Sequence, residues 1–280
     1  MRVAWATDIH LDFLSDERVR EFAGEMWGTG ADALIVSGDI SNAVQLVHHL
    51  RLLVEGVPGR LFFVLGNHDF YGGSIAEVRA AVAAVCARKP RLCWLPDAGV
   101  VRLGENTALV GVDGWGDARL GDANRTTVVL NDFFKIADLA ATLEPAVLRM
   151  PGLLVHSDRG RLHAALRGLG DAEAARCRAV VGAALAEYPE VLVVTHVPPF
   201  KAACWHEGAL SDDDWLPYFT CDAVGVALRE LAEAHPQRRL TVLCGHTHGA
   251  GEAQITANLR VLTGGAEYRR PAVQRVLEVG

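Results

Sequence analysis

The chain has 280 residues, 50% of them hydrophobic, and its 27 basic against 34 acidic side chains leave a net charge of −7. That length and apolar content can bury a large core. The acidic balance argues against a surface for duplex nucleic acid or anionic lipid, which relies on clustered lysine and arginine. Adjacent basic residues occur only at Arg88-Lys89, Arg238-Arg239 and Arg269-Arg270, and the six cysteines form no Cys-x-x-Cys pair. The cysteines read as small buried hydrophobes in a reducing compartment. After Met1-Arg2 the apolar stretch ends at Ala6, short of a signal-peptide core. No apolar run approaches the roughly 18 residues of a membrane span. The expectation is a cytoplasmic soluble protein with no membrane partner.

In chain order, Val3–Ala6 reads as a buried strand ending in Thr7-Asp8-Ile9-His10. A helix capped by Ser15 or Asp16 follows, with Val19, Phe22, Ala23 and Met26 on its apolar face. Ala33–Val36 is a second strand, ending in Ser37-Gly38-Asp39. Ser41 or Asn42 can cap the next helix, which carries Val44, Leu46, Val47, Leu50 and Leu53. A turn at Val57-Pro58-Gly59 leads into the strand Leu61–Leu65 and its end, Gly66-Asn67-His68-Asp69. A helix with Ile75, Val78, Ala81, Val82 and Val85 completes the unit. Strands alternating with helices imply parallel strands, and such sheets bind ligands beyond the carboxyl ends of those strands.

The middle changes character. Leu92–Leu95, Val100–Leu103 and Thr107–Val112 read as a meander opening a second, mixed sheet. A glycine- and acid-rich loop, Asp113–Asp122 with Trp115, follows. From Lys135 to about Tyr188 the pattern is mainly helical and solvated, with breaks near Pro145, Pro151 and Gly168–Gly170, and it reads as an insertion in one domain spanning 1–280. His48, His49, His156, His163 and His235 fall in or at helices and read as solvated. Val191–Val194 is again a strand, tipped by Thr195-His196. The loop 200–221 holds Trp205, His206 and Asp212-Asp213-Asp214, the acids reading as a solvated turn or cap. A helix over Asp222–Ala234 precedes the strand Leu240–Leu243, tipped by Gly245-His246-Thr247-His248. Leu259–Leu262 and Val273–Val279 are the last strands.

Five strands thus end in residues that ligate metals: Asp8 and His10, Asp39, Asn67 with His68, His196, and His246 with His248. Each alone has a structural reading as a turn, cap or surface residue. Asp8-x-His10 and His246-x-His248 are more informative, because alternate residues of an extended segment point the same way. The coincidence of five tips is hard to produce by packing.

This order closely resembles the calcineurin-like metallophosphoesterase superfamily, over motifs running from residue 8 to residue 248. The resemblance implies an α/β fold, a four-layer αββα sandwich of two mixed sheets with a dinuclear metal site at the strand carboxyl edge. By position it implies that Asp8, His10, Asp39 and His248 hold one ion. Asp39 bridges to a second ion held with Asn67, His196 and His246. It assigns His68 to phosphate stabilisation and protonation of the departing oxygen, for which an imidazole suits. Family members often carry a carboxylate where Asn42 stands, so Asn42 either orients His68 through its amide or merely caps a helix.

The donor set agrees independently: imidazole, carboxylate and amide suit Mn, Fe or Zn, with Co or Ni next, better than calcium. Two such ions favour an anion, and the expectation is attack of a metal-bound hydroxide on a phosphoester. Gly38-Asp39-Ile40-Ser41-Asn42-Ala43 lacks the arginine of the superfamily's protein phosphatases, and Asp69 replaces their glutamate, so the chain looks more like the phosphodiesterase branches. A small phosphodiester or nucleotide-like substrate is expected, with a phosphomonoester as the alternative. A non-catalytic scaffold of the same fold would be expected to lose ligands, and none is lost. Trp115, Trp205 and His206 are candidate substrate contacts beside Asn67, the tryptophans as stacking platforms or as packing anchors for their loops.

Overall fold

The computed structural model describes residues 1–55 and 59–280, so Val57-Pro58 of the expected turn lie outside the described residues. The continuous apolar runs become strands buried on both faces, as in parallel sheets covered on each side. In β1 (Arg2–Ala6), Val3 and Trp5 face one core and Ala4 and Ala6 another. The first unit continues through α1 (Asp16–Gly28), β2 (Ala33–Ser37), α2 (Leu46–Leu53), β3 (Arg60–Val64), α3 (Ile75–Arg88) and β4 (Leu92–Trp94). Ser15 caps α1 by accepting from the Arg18 amide at 3.3 Å, and the expected face of Val19, Phe22, Ala23 and Met26 is buried. Asn42 does not cap α2; its Oδ1 accepts from the Gln45 amide at 3.1 Å in the turn ahead of the helix. Because α2 begins only at Leu46, Val44 is 83% exposed rather than on the apolar face. Ala81 likewise lies on the solvent side of α3.

Two expectations about the middle are corrected. Leu92–Trp94 does not open the second sheet but pairs parallel with β3, completing the first. Pro96 then sits in the first turn of α4 (Leu95–Ala98), where a missing amide costs nothing. The second sheet starts with β5 (Val101–Arg102) and β6 (Thr107–Gly111). Four helices follow: α5 (Asp132–Lys135), α6 (Ala137–Ala140), α7 (Pro145–Arg149) and α8 (Gly160–Glu187). α8 runs unbroken through Gly168 and Gly170, since a side chain at Gly170 would collide with Asp117. That glycine serves close packing rather than a break. The layer is solvated on its outer side, as expected, while α8 packs Ala174, Cys177, Val181 and Ala184 onto the second sheet and buries His163.

The chain then forms β7 (Glu190–Val194), the hairpin β8 (Trp205–His206) and β9 (Ala209–Leu210), α9 (Leu216–Phe219), α10 (Asp222–Ala234) and β10 (Arg239–Cys244). It ends with β11 (Gly251–Thr256), which the sequence reading missed, β12 (Leu259–Thr263) and β13 (Val273–Glu278). The first sheet has the order β13-β1-β2-β3-β4 and the second β11-β12-β10-β7-β6-β5, each parallel but for antiparallel edge strands. Three apolar layers follow. One lies between α1–α3 and the first sheet, one between the sheets, and one between the second sheet and α8 with α10. The architecture is the expected αββα sandwich of mixed sheets. Every cysteine except Cys86 is buried, and all six are free. Among the described residues no helix is long and apolar enough to cross a membrane.

His49, expected to be solvated, is buried, with Nδ1 2.7 Å from the Ser41 hydroxyl oxygen. Burial pushes its pKa below the ordinary value. The unfolded chain therefore binds a proton near pH 6.5 that the folded chain refuses. Stability should fall as pH drops below about 6.5, with a slope of up to about 1.4 kcal/mol per pH unit from this group. Denaturation of wild type and His49→Gln between pH 7 and pH 5 will show a shallower fall in the variant; parallel curves would reject this role.

Candidate metal centre

Five parallel strands, β1, β2 and β3 of the first sheet and β7 and β10 of the second, direct their carboxyl ends to one edge. All seven expected donors meet there. Asp8, His10, Asp39 and His196 are fully buried, and Asn67 nearly so. The backbone is shaped to bring them in: Asp8, His10, Asp39, His246 and His248 all have positive φ, between 39° and 70°. Non-glycine residues rarely adopt this conformation, and it clusters at functional sites. Gly38, Gly66 and Gly245 stand where a side chain would strike His196, Asp39 and Asp8 respectively.

Two histidines have their tautomers fixed from behind. His196 Nδ1 is 2.9 Å from the Ser37 carbonyl oxygen, and His246 Nε2 is 3.1 Å from that of Tyr218. With those nitrogens donating, His196 Nε2 and His246 Nδ1 are left as bare lone pairs. Asn67 is fixed likewise, its Nδ2 donating to Asp132 Oδ1 at 2.9 Å, which turns its Oδ1 inward. That oxygen lies 3.0 Å from His196 Nε2 and 2.9 Å from His246 Nδ1, while Asp39 Oδ1 lies 3.3 Å from His196 Nε2. Four acceptors thus face one another with no N–H directed between them. A cation relieves that arrangement, and the donor set fits a transition metal.

Asp39 divides its carboxylate. Oδ1 faces the Asn67 side, whereas Oδ2 is 3.8 Å from His10 Nε2 and 3.9 Å from His68 Nε2. His10 Nε2 and His248 Nε2 approach to 3.2 Å, with Asp8 Oδ1 3.5 Å from the latter. Burial pushes His10 and His246 down to about 3 and His196 downward, which keeps these imidazoles neutral as ligands must be. Burial also works to raise Asp8, but the His248 contact and the surrounding imidazoles outweigh it and hold the group well below the usual carboxylate range. Asp39 is pushed well above it, by burial and then by the Asp8 charge.

His68 lies at the rim. Its amide donates to Asp39 Oδ1 at 2.9 Å, and its ring stacks on Tyr71 at 4.2 Å. Desolvation, then the neighbouring His10 and His196, push it down to about 2; an arriving phosphoryl anion is the opposite charge that favours its protonated form. Asp69 faces away from the cluster. Its carboxylate accepts from the amides of Ile40, Ser41 and Gly66 at 2.8–3.0 Å, tying two strand tips together. Asn42 is committed to Gln45 and does not orient His68.

The cleft beside the cluster encloses about 280 Å³ and is lined by Asn67, His68 and His206 among others. Two expected contacts are corrected. Trp115 is buried against Phe70, 5.0 Å between rings, and Trp205 packs over Gly251, so both anchor loops and neither lines this cleft. His206 does line it, with Nδ1 3.0 Å from the Thr247 carbonyl oxygen. Asp212 accepts from the amides of Asp214 and Trp215, the expected turn. Missed were Tyr268, whose ring stands 4.5 Å from that of His10, and Asp132, which also accepts from the Tyr71 hydroxyl at 2.5 Å. Asp132 sits 65 residues from Asn67 in a segment of no recognisable motif, so no sequence signal marked it. Removing an outer hydrogen-bond partner of a ligand typically costs 10–100-fold in metal affinity. Asp132→Ala should show a loss on the order of 10–100-fold in a metal titration; unchanged affinity would refute the orienting role.

A family model described as calcineurin-like phosphoesterase matches residues 1–250. No curated protein matches the chain. Among solved structures it is similar to a dimetal phosphatase from Danio rerio, with TM-score 0.57 and 13% identity over 95% of this chain and 87% of that one. It is similar to the phosphopantetheinyl hydrolase of Mycobacterium tuberculosis, with TM-score 0.57 and 15% identity over 94% and 89% of the two chains. A Thermus thermophilus protein matches with TM-score 0.52 and 17% identity over 94% and 88%. At such identities the likeness concerns the fold.

Proposed function

The chain belongs to the calcineurin-like phosphoesterases, and from that premise we propose that it is a dinuclear metal-dependent phosphoric ester hydrolase acting on a small phosphodiester or nucleotide-like substrate. The observation that carries the reading is the facing set of acceptors about Asn67 Oδ1 and Asp39, with the Asp39 oxygens turned to two sides. Asp8, His10 and His248 would hold one ion, Asn67, His196 and His246 the other, and Asp39 both. Mn, Fe or Zn would supply water activation and neutralisation of phosphoryl oxygens. His68 holds a proton for the leaving oxygen at the rim, and Tyr71 stacks against its ring. We read residues 1–280 as one such domain, with 135–188 as a helical insertion, working in the cytoplasm on small molecules rather than nucleic acid.

Purified protein should retain about two transition-metal ions per chain and hydrolyse aryl phosphodiesters with Mn added. Chelation should abolish turnover and metal should restore it. Absence of bound metal after reconstitution would refute the assignment, and faster hydrolysis of monoesters than diesters would replace the substrate class.

A further inference from the structure

We propose that the substrate carries a single phosphoryl group and an uncharged aromatic arm, seated in the slot between Tyr268 and Phe219. The inference rests on the phosphoester reading above and narrows it. The slot of about 280 Å³ opens on Asp39, His68 and His248, a volume at the small end for ligand sites. On one side the Tyr268 ring stands 4.5 Å from His10 and 5.0 Å from His248, and is itself propped edge-on by Phe13 at 5.3 Å. Tyr268 is 46% exposed, so an aromatic surface rises over the donor cluster without being consumed by packing. On the other side Phe219 lies 5.1 Å from His246 and is backed by Trp215 at 4.7 Å. The exposed Tyr268 ring supplies the stacking face and the nearly buried Phe219 an apolar edge opposite, which together favour a planar group by offset or edge contacts.

Charge points the same way. Among the described residues no lysine or arginine lines the slot. Two divalent ions set against the carboxylates of Asp8 and Asp39 and the attacking hydroxide would leave about one positive charge, which one phosphodiester monoanion cancels. A second phosphate or a carboxylate on the arm would find no lysine or arginine among the residues that line the slot. The lining therefore favours one phosphoryl group and an uncharged arm over pyrophosphates and arms bearing acids.

The test uses the metal-loaded protein and three phosphonate monoesters that share one negative charge at phosphorus: methyl phenylphosphonate, methyl methylphosphonate and methyl (4-carboxyphenyl)phosphonate. Binding is read by calorimetry. The phenyl compound should bind about tenfold more tightly than the methyl one, as one aromatic contact supplies, and the carboxyphenyl compound more weakly than the phenyl. Tyr268→Ala should remove the phenyl preference and Tyr268→Phe should keep it. Equal affinities, or tightest binding of the carboxylate, would overturn the aromatic slot while leaving the phosphoester reading intact. Failure of all three to bind, with no ester hydrolysed by the same preparation, would overturn both.

Discussion

His68→Ala will lower turnover of phosphodiesters by about 10²–10⁴-fold, the range for loss of a positioned general acid, while leaving both ions bound. His68 is set apart from the histidines at the donor cluster. His196 and His246 are pinned by main-chain carbonyls and aim bare nitrogens inward. His68 is held by stacking on Tyr71, with Nε2 3.9 Å from Asp39 Oδ2 and facing the cleft. A structural role would slow all esters equally. An acid role predicts a larger loss for alkyl leaving groups, which need the proton, than for 4-nitrophenolate, which departs without it. Metal analysis of the variant with kinetics on both ester types separates these outcomes. Equal rates for variant and wild type would reject the role.

The second large effect concerns stability. Arg79→Met should cost about 3–5 kcal/mol, because it strands two buried carboxylates. From α3 the guanidinium reaches Asp113 Oδ2 at 2.8 and 3.1 Å and Glu173 Oε1 at 2.6 Å, and both carboxylates are buried. Asp113 in turn accepts from the Leu65 amide at 2.9 Å and Trp94 Nε1 at 3.0 Å. One ionic knot thus ties the ends of β3 and β4 to the loop after β6 and to α8. It sits directly behind Gly66-Asn67, so loosening it also slackens the metal centre. Thermal unfolding should shift down by about 10 °C. A loss below about 0.5 kcal/mol, the range of an ordinary surface change, would show that the carboxylates find other partners.

What could be read from the sequence was what each strand tip announces locally. Glycine followed by aspartate or by Asn-His, and paired histidines at alternate positions, carry their chemistry within a few residues. The first helices were legible because Ser15 caps at one end and Val19, Phe22 and Met26 recur at helical spacing. Illegible were choices settled by distant neighbours. Whether Leu92–Trp94 extends the first sheet or opens the second depends on pairing with β3, which alternation cannot encode. Gly168 and Gly170 read as breakers, but Gly170 answers to Asp117 across a packing interface. His49 and His163 read as polar helix residues, yet a Ser41 hydroxyl and a Tyr218 hydroxyl partner them inside the core. Asp132 and Tyr268 carry no motif at all and enter the site only because the chain folds back over it.

The positive φ angles at Asp8, His10, Asp39, His246 and His248 set a trap for protein engineers. Each left-handed non-glycine residue costs on the order of 1 kcal/mol or more, and glycine at the same place would relax it. Against that relief stand the hydrogen bonds the side chains make, such as Asp8 and Asp39 on the amides of His246 and His68, and the stabilisation that bound metal supplies. A variant library sorted by survival at high temperature without added metal will therefore weigh backbone strain against those contacts, and any glycine it keeps at these five positions will come with lost activity.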